Sequence, residues 1–152
     1  MFWKKHPKKF FSPAEQKRIV EEIRQAEERT TGEIRVHLDH QSEGDALQKA
    51  RKIFTRLGMT GTKLRNGVLI YLAVDHKKFA IVGDEGIHRV VPENFWEDIK
   101  EEMRGYFREG KFGEGVCLGV RRTGEKLKIH FPADRAAGDE LSNEISESGV
   151  SP

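Results

Sequence analysis

Four side chains with hard oxygen donors, Glu33, Asn66, Asp84 and Glu85, flank the apolar segments of this sequence. Carboxylates and an amide carbonyl suit Ca²⁺ or Mg²⁺ rather than a soft metal. Ca²⁺ is favoured because it tolerates irregular geometry, with Mg²⁺ as the second choice. Arg65, beside Asn66, is the side chain best suited to contact a phosphate. A second set, Asp39, His40, Asp75 and His76, has the chemistry of proton transfer or of a transition-metal site. No helical His-x₃-His pair supports that set. Both sets also have a plain structural reading. Asp84 and Glu85 read equally as residues of an exposed turn, Asn66-Gly67 as a tight strand entry, and Asp39 and Asp75 as polar edge and turn residues.

Other chemistries find less support. Gly58-Met59-Thr60-Gly61-Thr62-Lys63 is not G-x-x-x-x-G-K-[ST] and follows a helix rather than a strand, so it is not a phosphate loop. No G-x-S-x-G occurs, which disfavours a serine hydrolase. The single Cys117 excludes an intrachain disulfide framework and a Cys-rich zinc site. Between Val116 and Leu118 it reads as a buried thiol before a nucleophile.

The elements that must position these residues follow from periodicity. Ser12-Pro13-Ala14-Glu15 is a capping box with Pro at the first helical position, and Ile19, Val20, Ile23 and Ala26 continue at helical spacing. This predicts a helix over 13–29. Ile34, Val36 and Leu38 alternate with Glu33, Arg35, His37 and Asp39, a strand with one buried face at or near a sheet edge. A second helix carries Ala46, Ala50, Ile53 and Phe54 behind an Asp45 cap. The continuous apolar run 67–74 predicts a strand covered on both faces. The short turn after it makes the strand at 79–82 antiparallel. Pro92 opens a third helix, and residues 116–129 form a fourth, weakened by Gly119 and Gly124 at about 1 kcal/mol each. The order is α-β-α-β-β-α-α, a mixed sheet with helices packed on it. The first two strands, joined through a helix, run parallel. Their starts, and the end of the third strand, therefore share one edge, where Glu33, Asn66, Asp84 and Glu85 meet.

The chain has 152 residues, of which 36% are hydrophobic and 34% charged, enough for one ordinary domain. Residues 1–11 form a basic aromatic head with Lys4, Lys5, Lys8 and Lys9, expected to be flexible. Residues 12–131 form the domain. Residues 132–152 are expected to be an acidic disordered tail without apolar periodicity. Residues 1–132 carry net +6 and residues 133–152 net −4. The basic head suggests weak polyanion contact, opposed by the tail, and no specific nucleic-acid binding. No run approaches the roughly 18–20 apolar residues of a membrane span, and the first residues lack a signal-peptide apolar core. A soluble, cytoplasmic protein is the expectation.

Several ordered blocks resemble the TPM domain family, named for thylakoid-lumen, photosystem-repair and receptor-modulating proteins. They are Thr31-Gly32-Glu33-Ile34-Arg35-Val36, the run from Asn66 through Leu72, Phe79-Ala80-Ile81-Val82-Gly83-Asp84-Glu85-Gly86-Ile87, Trp96, and Phe107-Arg108-Glu109-Gly110-Lys111-Phe112-Gly113-Glu114-Gly115-Val116. The match covers about residues 12–131. The resemblance implies a three-layer α/β/α sandwich, calcium binding in some members and weak acid phosphatase activity in others. Two positions depart from the family pattern. Arg65 stands where many members have Asp before Asn-Gly, and Asp84-Glu85 stands where many have Gly-Tyr. The expected function is a domain that binds a divalent cation and acts as an interaction or scaffold module with an unidentified protein partner. A weak metal-assisted phosphomonoesterase is the alternative. Neither reading fixes an oligomeric state.

Overall fold

Ser12 starts the chain's first helix as its sequence predicts. Its hydroxyl accepts from the Glu15 backbone N–H at 3.1 Å, and the Glu15 carboxylate accepts from the Ser12 N–H at 2.9 Å. In the computed structural model, which describes residues 10–40, 44–133 and 143–149, this helix is α1 (Pro13–Glu27). It is followed by β1 (Glu33–Asp39), α2 (Ala46–Arg56), β2 (Gly67–Ala73), β3 (Lys78–Gly83), the one-turn α3 (Glu85–His88), α4 (Glu97–Arg108), α5 (Phe112–His130) and β4 (Ser146–Ser148). The basic residues Lys4, Lys5, Lys8 and Lys9 lie outside the described residues, as do Asp134, Asp139 and Glu140.

The sheet runs β3-β2-β1-β4. β1 is parallel to β2 and to β4, and β2 is antiparallel to β3, so the expected mixed sheet is present. Alternation along β1 and β2 sends Ile34, Val36, Leu38, Val68, Ile70 and Leu72 to one face, under α1, α4 and α5. Leu69, Tyr71, Ala73, Ala80 and Val82 face the other way, against Ala50, Ile53 and Phe54 of α2. Two apolar layers on opposite faces make a three-layer α/β/α sandwich, and they explain why β2 is apolar throughout: all seven of its residues are buried.

Four expectations need adjustment. α4 begins at Glu97, with the segment after Pro92 forming turns first. α5 begins at Phe112 and keeps its glycines because neighbours press on it. A Cβ at Gly124 would lie 2.7 Å from that of Ala26 in α1, and one at Gly119 would lie 2.6 Å from the Met103 sulfur in α4. Ser146–Ser148, inside the stretch expected to be a disordered tail, is an edge strand. Finally, the polar face of β1 is not solvated: His37 and Asp39 are each only 2% exposed.

Candidate functional site

Strand pairing brings the predicted residues to one edge of the sheet. Glu33 pairs with Gly67 across β1–β2, and Val68 pairs with Gly83 across β2–β3. Glu33, Asn66 and the Asp84-Glu85 pair therefore lie together at three neighbouring strand ends, as strand parity requires. Glu33 and Asn66 are buried, and the Asn66 amide nitrogen donates to Thr31 Oγ1 at 3.1 Å. Asp84 differs from its expected place on an exposed turn. It is buried as the N-cap of α3, where its Oδ1 accepts from the Glu85 backbone N–H at 2.8 Å. Of the four, Glu85 alone is exposed.

Arg65 organises this edge. Its Nε donates to Asp84 Oδ2 at 2.8 Å and a terminal nitrogen donates to Oδ1 at 3.0 Å, a bidentate pair. Another nitrogen lies 3.4 Å from Glu85 Oε1, which Arg89 also contacts at 2.9 Å. The Asp84 bond pushes the Arg65 pKa further above its already high value, with burial acting in opposition. The backbone is shaped for this contact. Arg65 has φ 51°, a left-handed conformation uncommon outside glycine. The Gly86 N–H donates to the Arg65 carbonyl at 2.8 Å, and a Cβ on Gly86 would fall 2.1 Å from the Leu64 carbonyl oxygen. Glycine is the residue that permits this approach.

The donor types at the edge fit a hard cation, but their resting arrangement is an ion-pair network. Both Asp84 oxygens carry partners. Among the described residues no three His, Cys, Asp or Glu side chains are grouped as a metal ion would need.

The second predicted set does not converge as a site. Asp75 and His76 lie exposed on a turn, while Asp39 accepts from the Tyr71 hydroxyl at 2.6 Å and lies 4.0 Å from Lys49 Nζ. His40 faces Glu147 at 3.4 Å. Sequence reasoning missed His37. Its ring stacks on Tyr71 with centroids 6.1 Å apart, and its nitrogens meet Ser146 Oγ and Ser148 Oγ, each at 2.7 Å. Burial lowers its pKa to about 4, Asp39 acting in opposition. The signal available was the Ser-x-Ser spacing, which sends both hydroxyls to one face of a strand.

The TPM domain profile aligns with residues 5–126. The chain belongs to the TPM domain family. This TPM domain is also similar to the BA42 protein of the psychrophilic bacterium Bizionia argentinensis, solved by NMR. The two share 43% identity at a TM-score of 0.87, over 93% of this chain and 98% of that one. The N-terminal domain of a P. gingivalis protein shares the fold, with a TM-score of 0.67 at 19% identity over 82% of this chain and 81% of that one. No curated protein matches the chain. Among the described residues no helix is long and apolar enough to cross a membrane.

Proposed function

We propose that this TPM domain is an interaction module whose Glu33–Asn66–Asp84–Glu85 edge takes a divalent cation, Ca²⁺ in preference to Mg²⁺. The observation that carries this reading is the strand register, which gathers hard oxygen donors from the starts of β1 and β2 and from the segment that follows β3 at one sheet edge. Arg65 is then the resting counter-ion, and a cation enters by displacing the guanidinium from Asp84. Ca²⁺ accepts the irregular, partly hydrated coordination such an entry leaves, whereas Mg²⁺ demands a near-ideal octahedron. Competition with Arg65 keeps the affinity weak, about 10⁻⁴–10⁻³ M.

Phosphomonoester hydrolysis is the less supported reading. It needs a base and an open coordination position, and Asp84 is held by Arg65 and by the start of α3. Arg65 as a phosphate contact is the one feature in its favour. Titrating the full chain with Ca²⁺ and Mg²⁺, followed by amide NMR, tests the proposal. Saturable Ca²⁺ shifts at residues 31–34, 64–67 and 83–87 are expected. They should be lost in Asp84→Asn/Glu85→Gln, a variant that retains the cap of α3 because an asparagine side chain caps as well as an aspartate. Absence of such shifts at about 10 mM Ca²⁺, well above the range named, would overturn it. So would metal-dependent hydrolysis of p-nitrophenyl phosphate that disappears in the same variant, which would reassign the edge to catalysis.

A further inference from the structure

At the opposite end of the sheet, past the end of β2 and the start of β3, a cleft of about 760 Å³ opens beneath the C-terminal half of α4. That volume lies within the range usual for small-molecule sites, roughly 300–1,000 Å³. Its wall is a series of four half-buried phenylalanine rings. Phe79 meets Phe107 edge-on at 5.1 Å, Phe107 stacks on Phe112 at 5.6 Å, and Phe112 meets Phe10 at 5.4 Å. Leu72 and Ala73 close the floor. Among the described residues no Ser, Thr, Asn or Gln lines the cleft, so none of them reads the edge of a nucleobase or the hydroxyls of a sugar through such a side chain.

The rim is predominantly basic. Lys77, Lys78, Arg104 and Arg108 line it, against Asp45 as the one acid among the described residues, and Asp45 is committed to capping α2 through the Gln48 N–H. Arg104 lies over the Phe79 ring at 5.7 Å and pairs with Glu101. Lys77 and Arg108 are exposed and make no ion pair among the described residues. Two cations at the mouth of an aromatic cleft, unpaired among the described residues, complement a ligand with an apolar body and an anionic end. Burying that body removes apolar surface from water, and the rim meets the charge where the cleft opens to solvent.

We propose that this cleft binds an amphipathic carboxylate, a small molecule with an acyl or aryl body and one anionic head. The body lies along the Phe79–Phe107–Phe112 wall, and the carboxylate sits between Lys77 and Arg108. This site is separate from the acidic edge, and neither proposal requires the other.

The test uses the full chain and decanoate, with 1-decanol as the uncharged counterpart, followed by amide NMR and calorimetry. Decanoate should shift residues 72–79 and 104–112 and leave 83–87 unmoved. Lys77→Asn/Arg108→Gln should weaken decanoate binding about tenfold while leaving the spectrum of the free protein otherwise unchanged. Asn is chosen because Lys77 has φ 52°, which Asn tolerates. Decanol should bind about tenfold more weakly than decanoate, and the difference should shrink as salt is added. Equal binding of decanol and decanoate would overturn the proposal, as would an unchanged affinity in the variant. A Glu-rich peptide that shifts the cleft residues where decanoate does not would reassign the cleft to a protein partner.

Discussion

Arg65 holds Asp84 by two hydrogen bonds, of 2.8 and 3.0 Å, from a backbone conformation with positive φ. The pair joins the loop before β2 to the cap of α3, so the side chain that closes the acidic edge also tethers its two halves. Arg65→Gly keeps the left-handed φ without strain and removes the guanidinium. If Arg65 is the resting counter-ion, Ca²⁺ affinity at this edge should rise on the order of tenfold in Arg65→Gly, because a unit positive charge beside the ion is gone. Calorimetry on the two proteins side by side checks it; weaker binding in the variant would make Arg65 a builder of the edge and not a competitor.

His37 predicts an acid-side loss of stability. Burial lowers its folded pKa to about 4, opposed by Asp39 and reinforced by Arg35, Arg56 and His40. An unfolded His takes its proton near pH 6.5, so between about 6.5 and 4 the unfolded chain binds a proton that the folded one refuses. Stability from this group is complete above pH 6.5, falls through that window and levels off below it, a change on the order of 3 kcal/mol. Urea midpoints measured from pH 7.5 to 3.5 should show this slope in the natural chain and lose it in His37→Gln. Because the ring bridges Ser146 and Ser148, amides of β4 should exchange before those of β2 as pH falls.

The legible and illegible parts of this fold differ in where their information sits. Ser12, Glu15 and the Ile19–Ile23 spacing are local signals, and α1 forms where they place it. The meeting of Glu33 with Gly67, and of Gly83 with Val68, needed only strand order and the length of two connections. β4 carries no such pattern. Ser146-Glu147-Ser148 has no apolar side chain to bury, and it is held by backbone pairing with β1 and by the His37 ring, a partner 109 residues away from Ser146. The burial of Asp39 likewise depends on Tyr71 across the sheet, which alternation within β1 cannot report. The Arg65–Asp84 pair was hidden for a related reason: a cation beside acids reads as a substrate contact until the turn that aims it is known.

Tyr71 and Asp39 supply a test within that buried layer. The hydroxyl donates to a carboxylate at 2.6 Å, with both residues nearly inaccessible. Tyr71→Phe leaves the ring and its stacking with His37 in place and removes one charge-assisted bond. The expected loss is about 1.5–3 kcal/mol in a urea denaturation, with an unchanged denaturant slope. A loss below about 0.5 kcal/mol would mean that the phenol oxygen is not a significant support for Asp39.

Gly86→Ala should be among the more damaging single-methyl additions in the molecule. The new Cβ would meet the Leu64 carbonyl oxygen at 2.1 Å and the Arg65 carbonyl oxygen at 2.6 Å. Both obstacles are backbone, so no rotamer change relieves them, and either α3 or the 64–66 segment must move. Moving either breaks the Gly86 N–H bond to the Arg65 carbonyl and pulls Arg65 away from Asp84. Overpacking of this kind costs about 1–3 kcal/mol, and the lost hydrogen bond adds about 1 kcal/mol. A double-mutant cycle separates the two contributions. If Gly86 acts partly by aiming Arg65, the destabilisation by Gly86→Ala should be smaller in an Arg65→Gly background, where that pair no longer exists. Equal destabilisation in both backgrounds would confine the role of Gly86 to backbone packing between α3 and the entry to β2.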